Sequence, residues 1–418
     1  MEKVGNVQVS THTTNWPDDA LVRAHPFSCH NMFSLRPFRV FVKPFVFTGR
    51  YMSCFKSSDL NVKQTKNHKP IPKGDYGFGK IFTDHMFVVE WSRDGGWNKP
   101  EIREYAPLTV SPAMQSFHYA TSCFEGFKAM RGRDGICRLF RPDKHIERLR
   151  KSAARLCLPD FSASELLECI KELIRLDKSW IPSDEGCSLY VRPLFAGIDP
   201  TIGVDICSKA ILFVILSPVG AYFTGAQQGV ALYADPQFVR SWQGGGGAFK
   251  LASNYAPTLY VQQFVKEKGC QTALWLHGPN ENLTEAGTMN IFLFWTNENG
   301  ERELVTPPLN GLILPGITRE SILELTKSWH EFPVHEKEIT MSQVLSAVNE
   351  NRLHAMFGTG TACVISPVAK LVYKNKVYEI KGGPEGTKTV NRIYKELTDI
   401  QWAVNGPHLW THPIDASR

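Results

Sequence analysis

Residues 244–255 read Gly-Gly-Gly-Gly-Ala-Phe-Lys-Leu-Ala-Ser-Asn-Tyr, and this stretch decides how the rest of the chain is interpreted. Four consecutive glycines let a large ligand approach the backbone closely, because glycine has no Cβ. Lys250 follows between Phe249 and Leu251, and these apolar neighbours would shield its amine from water. A shielded, uncharged lysine amine is a nucleophile. The stretch therefore predicts a lysine that holds a ligand, with a surface lysine behind a flexible loop as the alternative.

Two later stretches carry groups that complement this lysine. Glu285 is the only charged residue between Asn282 and Asn290, just before an apolar run, and a buried carboxylate there would need a partner. Residues 316–318, Gly-Ile-Thr, open a predicted helix whose N–H groups and dipole favour an anion. Residues 357–362, Phe-Gly-Thr-Gly-Thr-Ala, form a small turn apt to wrap an anion with backbone amides. Each signal alone is equally consistent with an ordinary turn or helix start.

Together these stretches match the requirements of one cofactor, pyridoxal 5'-phosphate. Its aldehyde needs an amine and its ring nitrogen needs a carboxylate. Its ring hydroxyl needs a neutral partner, and its phosphate needs backbone N–H groups and a cation. Lys250 and Glu285 meet the first two requirements, and the turn at 316–318 offers the backbone N–H groups for the phosphate. The order and joint presence of the stretches predict a pyridoxal-phosphate enzyme.

Length and composition limit the class of protein. The chain has 418 residues, long enough for two domains, with 43% hydrophobic and 21% charged residues. Its longest apolar run, residues 210–216, has the length of a buried strand, so no membrane segment is predicted. The net charge of +6 comes from residues 1–74, which hold 11 Lys and Arg against 4 Asp and Glu. The nearly neutral remainder predicts no nucleic-acid binding.

The first 74 residues are predicted to be a basic, transit-like leader followed by a linker. No Asp or Glu occurs from Ala20 to Ser58, whereas six basic residues do, and the basic, amphipathic part begins at Met32. This composition is typical of a transit peptide and predicts a mitochondrial location, with a cytoplasmic protein bearing a basic tail as the alternative. The true start codon and the processing site stay open. Residues 59–74 are polar with two prolines and read as the linker, with ordered structure expected to begin near Tyr76.

The remainder is predicted to form two domains of mixed helices and strands. Residues 75–217 form the first, residues 218–229 the Gly- and Pro-containing connection, and residues 230–418 the second. Apolar side chains recurring every three or four residues predict helices, and short apolar runs bounded by turn residues predict strands. The predicted helices are 145–158, 164–178, 255–268, 318–329 and 341–350. The predicted strands are 86–91, 188–193, 210–216, 230–234, 272–276, 290–295 and 356–358.

The chain closely resembles the branched-chain amino acid aminotransferases, which are pyridoxal-phosphate enzymes of fold type IV. The likeness runs from about residue 76 to about residue 400 and has the character of the eukaryotic branch. Besides the stretches above, it is carried by Phe78-Gly-Lys-Ile-Phe-Thr-Asp-His-Met86, His118-Tyr-Ala-Thr-Ser-Cys-Phe-Glu-Gly-Phe-Lys-Ala129, Arg138-Leu-Phe-Arg-Pro142, Tyr190-Val-Arg-Pro193 and Val305-Thr-Pro-Pro-Leu-Asn-Gly311. The resemblance implies a small α/β domain, a larger domain with a barrel-like sheet, and the cofactor at the domain interface.

Carried over residue by residue, the resemblance implies roles for the site residues. Lys250 would form the Schiff base and act as the base at the substrate α-carbon. Glu285 would pair with the ring nitrogen and Tyr255 with the ring hydroxyl, while Arg148 would be the cation at the phosphate. Tyr119 would reach over from the neighbouring subunit of a homodimer, and Arg192 would organise the pocket by hydrogen bonding. The implied cofactor-binding residues are Arg148, Lys250, Tyr255, Glu285, Thr288, Ile317, Thr318 and Thr361. The implied substrate-binding residues are Phe78, Tyr119, Phe124, Tyr190, Arg192, Thr361 and Ala362, with Tyr255 and Thr288 also beside the substrate's apolar side chain.

The reaction that the resemblance implies is transamination of leucine, isoleucine and valine with 2-oxoglutarate, giving branched-chain 2-oxo acids and glutamate. The sequence does not rank the three amino acids or separate biosynthesis from catabolism. One alternative is another fold type IV enzyme, a D-amino acid transaminase or an aminodeoxychorismate lyase, against which Tyr190-Val-Arg192 and Phe124-Glu-Gly argue. The other is a catalytically silent scaffold or redox-binding protein, which the intact Lys250 disfavours.

Two features depart from the family pattern. Members of the animal branch often carry a Cys-x-x-Cys pair after the Gly-Thr-Ala turn, but here Cys363 is followed by Ser366. A disulfide switch needs two cysteines and is not expected at this place. The ten cysteines of the whole chain include no Cys-x-x-Cys pair, which predicts neither a zinc site nor a disulfide framework. Ala248 and Phe249 stand where a polar residue and Tyr are frequent, and we expect them to alter only the rim of the pocket.

Overall fold

The computed structural model describes residues 54–74, 76–220 and 229–415, and the chain there is a mixed α/β structure. The predicted leader before residue 54, and residues 221–228 of the predicted connection, lie outside the described residues. The strands are β1 (Asn61–Val62), β2 (His85–Ser92), β3 (Gly96–Trp97), β4 (Glu101–Glu104), β5 (Ser122–Phe124), β6 (Phe127–Arg131), β7 (Cys137–Phe140), β8 (Ser188–Gly197), β9 (Lys209–Val219), β10 (Val230–Ala234), β11 (Thr272–His277), β12 (Asn282–Ala286), β13 (Met289–Thr296), β14 (Arg302–Thr306), β15 (Val334–Glu336), β16 (Leu353–Gly360), β17 (Val364–Tyr373), β18 (Lys376–Glu379) and β19 (Thr411–Pro413). The helices are α1 (Gln115–Tyr119), α2 (Pro142–Arg155), α3 (Ala163–Leu176), α4 (Thr258–Glu267), α5 (Ile317–Trp329), α6 (Met341–Asn349) and α7 (Pro384–Gln401).

The first sheet has ten strands, nine of which lie before residue 220. Its order is β1-β4-β2-β9-β8-β6-β7-β19, with β3 paired to β2 and β5 paired to β8. The predicted neighbours β8 and β9 are antiparallel partners along their length. Helices α2 and α3 pack on this sheet because their apolar positions share one face; Leu166, Ile170 and Leu173 of α3 are fully buried. Each such side chain stabilises the fold by about 1.5–3 kcal/mol.

The second sheet has nine strands and closes on itself. Its order is β12-β11-β10-β17-β16-β13-β14-β15, with β18 paired to β17. Because β12 also pairs with β13, the strands β10, β11, β12, β13, β16 and β17 form a closed ring. The predicted mixed α/β class with a barrel-like sheet in the second half is confirmed. The division into domains at residues 217 and 230 stays a prediction, and β19, near the chain's end, pairs with β7 of the first sheet.

Ordered structure begins earlier than the expected start near Tyr76. Phe55 is 3% exposed and packs its ring against Phe87, Trp97 and Phe161. Strand β1 then pairs in parallel with β4. The polar composition of residues 59–74 did not predict this arrangement. One buried aromatic side chain, Phe55, and the short pairing of β1 with β4 are enough to order this part of the chain.

Several element boundaries differ from the prediction for local reasons. Helix α3 begins at Ala163, one residue before the predicted start, because Ser162 Oγ caps it by accepting a hydrogen bond from the Glu165 N–H. Helix α2 ends at Arg155, and the left-handed φ of +54° at Cys157 prevents its continuation to residue 158. Glu285 lies on strand β12 and not in a turn before a strand. Helix α7 has no counterpart among the predicted helices.

The described ranges contain no helix long and apolar enough to cross a membrane. The cysteines in these ranges are free, and no cluster of three His, Cys, Asp or Glu residues there has the arrangement to hold a metal ion. Ser366, which stands where a second cysteine would follow Cys363, is fully buried.

Candidate active site

Lys250 is held at both its backbone and its amine. Its N–H donates to Ser152 Oγ of α2 at 2.9 Å, and its carbonyl accepts from the Phe124 N–H at 3.1 Å. Its Nζ donates to Tyr255 Oη at 3.0 Å. The same Nζ lies 4.8 Å from the centre of the Phe124 ring and 5.3 Å from that of the Tyr255 ring. The amine is therefore oriented by a phenol and shielded by the rings of Phe124 and Tyr255. The sequence prediction had assigned this shielding to Phe249 and Leu251.

The glycine run before Lys250 brings the backbone close to another part of the chain. A Cβ on Gly247 would lie 2.5 Å from the carbonyl oxygen of Leu312 and 2.7 Å from Ser241 Oγ, so no other residue fits there. Gly244 has a φ of +79°, which favours glycine. The sequence suggested that the glycines make room for a ligand. The structure shows that Gly247 makes room for the segment that leads to the 316–318 turn.

Glu285 is a buried carboxylate with one oxygen bonded and the other available. Its Oε1 accepts from the Leu314 N–H at 3.2 Å and from Asn290 Nδ2 at 3.1 Å. Its Oε2 lies 2.7 Å from Arg240 Nε, but that N–H is not directed at the oxygen, so Oε2 has no hydrogen-bond partner among the described residues. Burial raises the pKa of Glu285, and the charge of Arg240 is the largest effect that opposes the rise.

Arg148 of α2 is positioned by a buried ionic cluster that joins α2 to Glu125, between β5 and β6. Its Nε and Nη2 donate to the two oxygens of Glu125 at 2.6 and 3.0 Å, and His145 Nδ1 lies 2.9 Å from the same carboxylate. Burial alone would raise the pKa of Glu125, but the charge of Arg148 and the hydrogen bonds from His145 and Arg148 hold it well below its usual range. The third contact of the guanidinium, from Nη1 to the Pro315 carbonyl at 2.9 Å, places it beside the predicted anion turn.

The anion turn is the N-terminus of α5. Gly316 is the N-cap and offers no side chain to the first N–H groups of the helix, which have no intrahelical partner. Ile317 and Thr318 follow and are each 5% exposed. A Cβ on Gly316 would lie 1.9 Å from Asn290 Oδ1, so the glycine is required by the asparagine behind it. Asn290 Nδ2 also donates to the Leu314 carbonyl at 2.9 Å, which joins this turn to Glu285.

The residues predicted to surround the substrate side chain include two pairs of aromatic rings, and the guanidinium of Arg192 lies between the pairs. The rings of Phe78 and Tyr190 meet edge to face at 5.1 Å, and the rings of Phe124 and Tyr255 lie 4.9 Å apart. Arg192 connects the two pairs, with its guanidinium 5.2 Å from the Tyr190 ring and 4.9 Å from the Phe124 ring. Its Nη2 donates to Tyr190 Oη at 3.4 Å, and its Nε is buried without a hydrogen-bond partner among the described residues.

The turn at Thr361 and Ala362 is supported by a buried lysine that the sequence prediction missed. Lys128 is 9% exposed, and its Nζ donates to the Ala362 carbonyl at 2.9 Å. Burial lowers the pKa of Lys128 to about 8. No described hydrogen bond or ring contact joins Thr288, Thr361 or Tyr119 to the other predicted site residues. The Tyr119 hydroxyl donates to the Ile202 carbonyl of its own chain.

Besides Lys128, four residues that the sequence prediction did not single out orient the predicted ones: Glu125, His145, Arg240 and Asn290. A signal was present for two of them. Glu125 is a lone acid among apolar residues, and His145 precedes Arg148 by one helical turn. Arg240 and Asn290 carry no comparable signal, because their roles depend on contacts with Glu285 across different elements.

The site fits pyridoxal phosphate on three observations. The Lys250 amine is paired with a phenol, as the aldehyde and ring hydroxyl require. Glu285 Oε2 is a buried acceptor without a hydrogen-bond donor, as the ring nitrogen requires. The start of α5, without a capping side chain and with Arg148 bonded to the preceding carbonyl, suits a phosphate.

The chain is similar to known aminotransferases over most of its length. The amino-transferase class IV family model matches residues 122–371. The mitochondrial branched-chain-amino-acid aminotransferase of Bos taurus is 49% identical over 365 residues, which cover 87% of this chain and 93% of that protein. The chain belongs to this aminotransferase family. The cytosolic family member of Rattus norvegicus is 50% identical over 351 residues, covering 83% of this chain and 85% of that protein.

Solved structures of branched-chain aminotransferases share the fold. The Escherichia coli enzyme aligns with a TM-score of 0.63 at 24% identity and covers 78% of this chain and 99% of its own. The Thermobaculum terrenum enzyme in its PLP-form aligns with a TM-score of 0.59 at 18% identity, covering 78% of this chain and 98% of its own. The predicted fold type IV architecture and the assignment to pyridoxal-phosphate-dependent aminotransferases are confirmed.

Proposed function

We propose that this branched-chain-amino-acid aminotransferase family member transfers the amino group of leucine, isoleucine or valine to 2-oxoglutarate, giving branched-chain 2-oxo acids and glutamate. The observation that carries the proposal is the pairing of Lys250 Nζ with Tyr255 Oη, 3.0 Å apart, beside the aromatic wall. The name shared by relatives about half identical over most of the chain supports the substrate class. A D-amino acid transaminase, an aminodeoxychorismate lyase and a silent scaffold have no comparable support.

The residues divide the work between holding the cofactor and moving a proton. Bound pyridoxal phosphate supplies an electrophilic carbon and an electron-accepting ring. Lys250 would hold its aldehyde, Tyr255 its ring hydroxyl and Glu285 Oε2 its ring nitrogen. Arg148, Ile317, Thr318 and Thr361 would hold its phosphate. Lys250 Nζ is also the amine placed to take the proton from the substrate α-carbon and return it during the reaction.

The aromatic side chains around Arg192 would make the site specific for substrates with apolar side chains. Phe78, Phe124 and Tyr190, with Tyr255 and Thr288, would surround the substrate side chain, and its burial is worth about 25 cal/mol per Å² of apolar surface. Arg192 holds Tyr190 in place through its Nη2. Gly126 is required by the same tyrosine, since a Cβ there would lie 1.7 Å from Tyr190 Oη. The backbone of Thr361 and Ala362 would bind the substrate carboxylate.

A spectroscopic experiment tests the function. We expect the purified protein loaded with pyridoxal phosphate to be yellow, and leucine without an oxo acid to bleach the visible band, because the amino group moves to the cofactor. Adding 2-oxoglutarate should restore the band and produce glutamate. A colour change with D-alanine alone would indicate a D-amino acid transaminase, and a colourless wild type would indicate a silent scaffold.

The buried Lys128 predicts a pH-dependent affinity for the substrate carboxylate. Because burial lowers the pKa of Lys128 to about 8, its charge is present below pH 8 and is lost as the pH rises through that value. Its Nζ lies behind the Ala362 backbone. We expect the KM for the 2-oxo acid of leucine, which does not titrate in this range, to rise about fivefold from pH 7 to pH 9, for about 1 kcal/mol of lost attraction.

The matched variants for this prediction are Lys128→Met and Lys63→Met. Lys128→Met should show the high KM at both pH values, with a smaller change in kcat. Lys63 is an exposed lysine paired with Glu101, so Lys63→Met should keep the wild-type profile. A Lys128→Met enzyme with the wild-type pH dependence of KM would contradict the prediction.

We infer that the protein acts as a homodimer whose contact includes the loop after β8. Phe117, Tyr119, Ile202, Val204 and Ile206 are apolar or aromatic and exposed, and Val204 is 79% exposed. Tyr119 contacts Ile202, so the two segments are adjacent. A second copy covering this surface would bring Tyr119 to the neighbouring site.

Sedimentation of the holoenzyme tests the dimer and should give twice the 47.1 kDa chain mass. Val204→Asp should give monomers. A wild-type monomer with full activity would refute the dimer.

We propose a mitochondrial location from the basic, acid-poor composition of the chain from Met32. The Bos taurus relative is named mitochondrial and the Rattus norvegicus relative is named cytosolic, so the relatives do not separate the alternatives. Import into isolated mitochondria tests it, with chains starting at Met1 and at Met32. Processing and protease protection of either chain are expected; a cytoplasmic location follows if neither is processed or protected.

A further inference from the structure

We propose that Arg240 is a positioning residue for the ring nitrogen of the cofactor, acting by favouring the charged form of Glu285 while leaving its Oε2 free to accept a hydrogen bond. The inference rests on the proposed role of Glu285 and adds a residue that neither the sequence nor that role assigns.

Arg240 places a positive charge beside Glu285 without donating a hydrogen bond to its Oε2. Arg240 Nε lies 2.7 Å from Glu285 Oε2, and both side chains are almost fully buried, at 6% and 3% exposed. The N–H is not aligned with the oxygen, so Oε2 has no hydrogen-bond partner among the described residues. Charge attraction depends weakly on direction, whereas a hydrogen bond needs alignment. The lone pair that the ring nitrogen needs is therefore not used by the arginine.

The remaining contacts of Arg240 fix the guanidinium where this effect is needed. Its Nη1 donates to the Leu312 carbonyl at 3.1 Å and to the Gly247 carbonyl at 3.4 Å. Gly247 precedes Lys250 by three residues, and Leu312 leads into the turn at 316–318. One buried cation thus connects the segments that carry the lysine, the carboxylate and the phosphate turn.

Glu285 depends on this charge because its burial favours the neutral acid. Burial raises its pKa, and Arg240 opposes the rise more than the Leu314 N–H or the charges of Lys250 and Arg148 do. A neutral carboxyl group would not stabilise a protonated ring nitrogen. Without Arg240 we therefore expect the site to prefer a ring nitrogen over a ring carbon much less strongly.

The test compares the affinities of the apo-protein for pyridoxal phosphate and for its 1-deaza analogue, in which carbon replaces the ring nitrogen. For the wild type we expect pyridoxal phosphate to bind about tenfold to a hundredfold more tightly than the analogue, the range for a hydrogen bond to a charged group. Arg240→Met and Arg240→Gln should bind the two compounds with affinities equal within about threefold. Arg240→Lys, which keeps a cation, should retain most of the preference.

The control variant is Arg155→Met. Arg155 Nη2 donates to the Gly244 carbonyl at 2.9 Å, so this variant removes an arginine contact to the same glycine run without touching a carboxylate. It should keep the wild-type preference, even if both affinities fall. A purely structural role for Arg240 would lower both affinities together and leave their ratio unchanged, which would overturn the proposal. A wild type without any preference would instead refute the role of Glu285, so the two failures are distinguishable.

Discussion

Lys250→Ala is expected to lower the rate of transamination by at least about a thousandfold, because one substitution removes both the cofactor anchor and the base that moves the α-proton. The variant should also stay colourless with pyridoxal phosphate, since no other described amine contacts Tyr255 Oη at hydrogen-bond distance. Steady-state assays with leucine and 2-oxoglutarate and a visible absorption spectrum would measure both effects.

The control for Lys250→Ala is Lys266→Ala, which removes an exposed lysine from α4 and should leave rate and spectrum unchanged. The thermal midpoint of Lys250→Ala without cofactor should lie close to that of the wild type without cofactor, because the lysine side chain is only partly buried. A yellow Lys250→Ala enzyme that still transaminates leucine would refute the assignment.

Arg148→Met is expected to have the largest effect on stability, because it leaves Glu125 buried without its strongest partner. Glu125 is fully buried, and Arg148 donates two hydrogen bonds to it. Leaving a buried charge unpaired costs about 3–5 kcal/mol of the free energy of unfolding. The same variant removes the cation at the proposed phosphate site, so the affinity for pyridoxal phosphate should fall as well. Denaturant unfolding of the apo-protein and cofactor titration separate the two effects.

A double variant distinguishes the structural role of Arg148 from its role at the phosphate. Arg148→Met with Glu125→Gln removes the unpaired charge and should recover most of the lost stability but little of the cofactor affinity. Arg150→Met on the same helix breaks a half-exposed ion pair with Asp160 and should cost less than about 1 kcal/mol. Cofactor affinity that returns fully in the double variant would show that Arg148 does not bind the phosphate.

The sequence by itself determined five of the seven α-helices found in the described residues, and the chemical groups of the site. The spacing of apolar residues predicted the bounds of α5 to within one residue and those of β10 as observed. This is possible because the pattern of apolar residues in a helix or strand depends only on neighbouring positions in the sequence. Lys250, Glu285 and the 316–318 turn could be singled out because each has an unusual immediate neighbourhood of glycines or uncharged residues. Their order along the chain predicted the cofactor, and the resemblance carried by further stretches predicted the family.

Only the tertiary structure decided how these groups act on one another. Arg148 and Pro315 are 167 residues apart, yet their contact places the cation at the turn. Gly247 proved to be required by Leu312, and Phe55 proved to be part of the core. The directions of the N–H groups around Glu285 decide which of its oxygens stays available. The physical reason is that periodicity and composition report each residue's own neighbourhood, whereas pairing, burial and hydrogen-bond direction arise when distant segments meet.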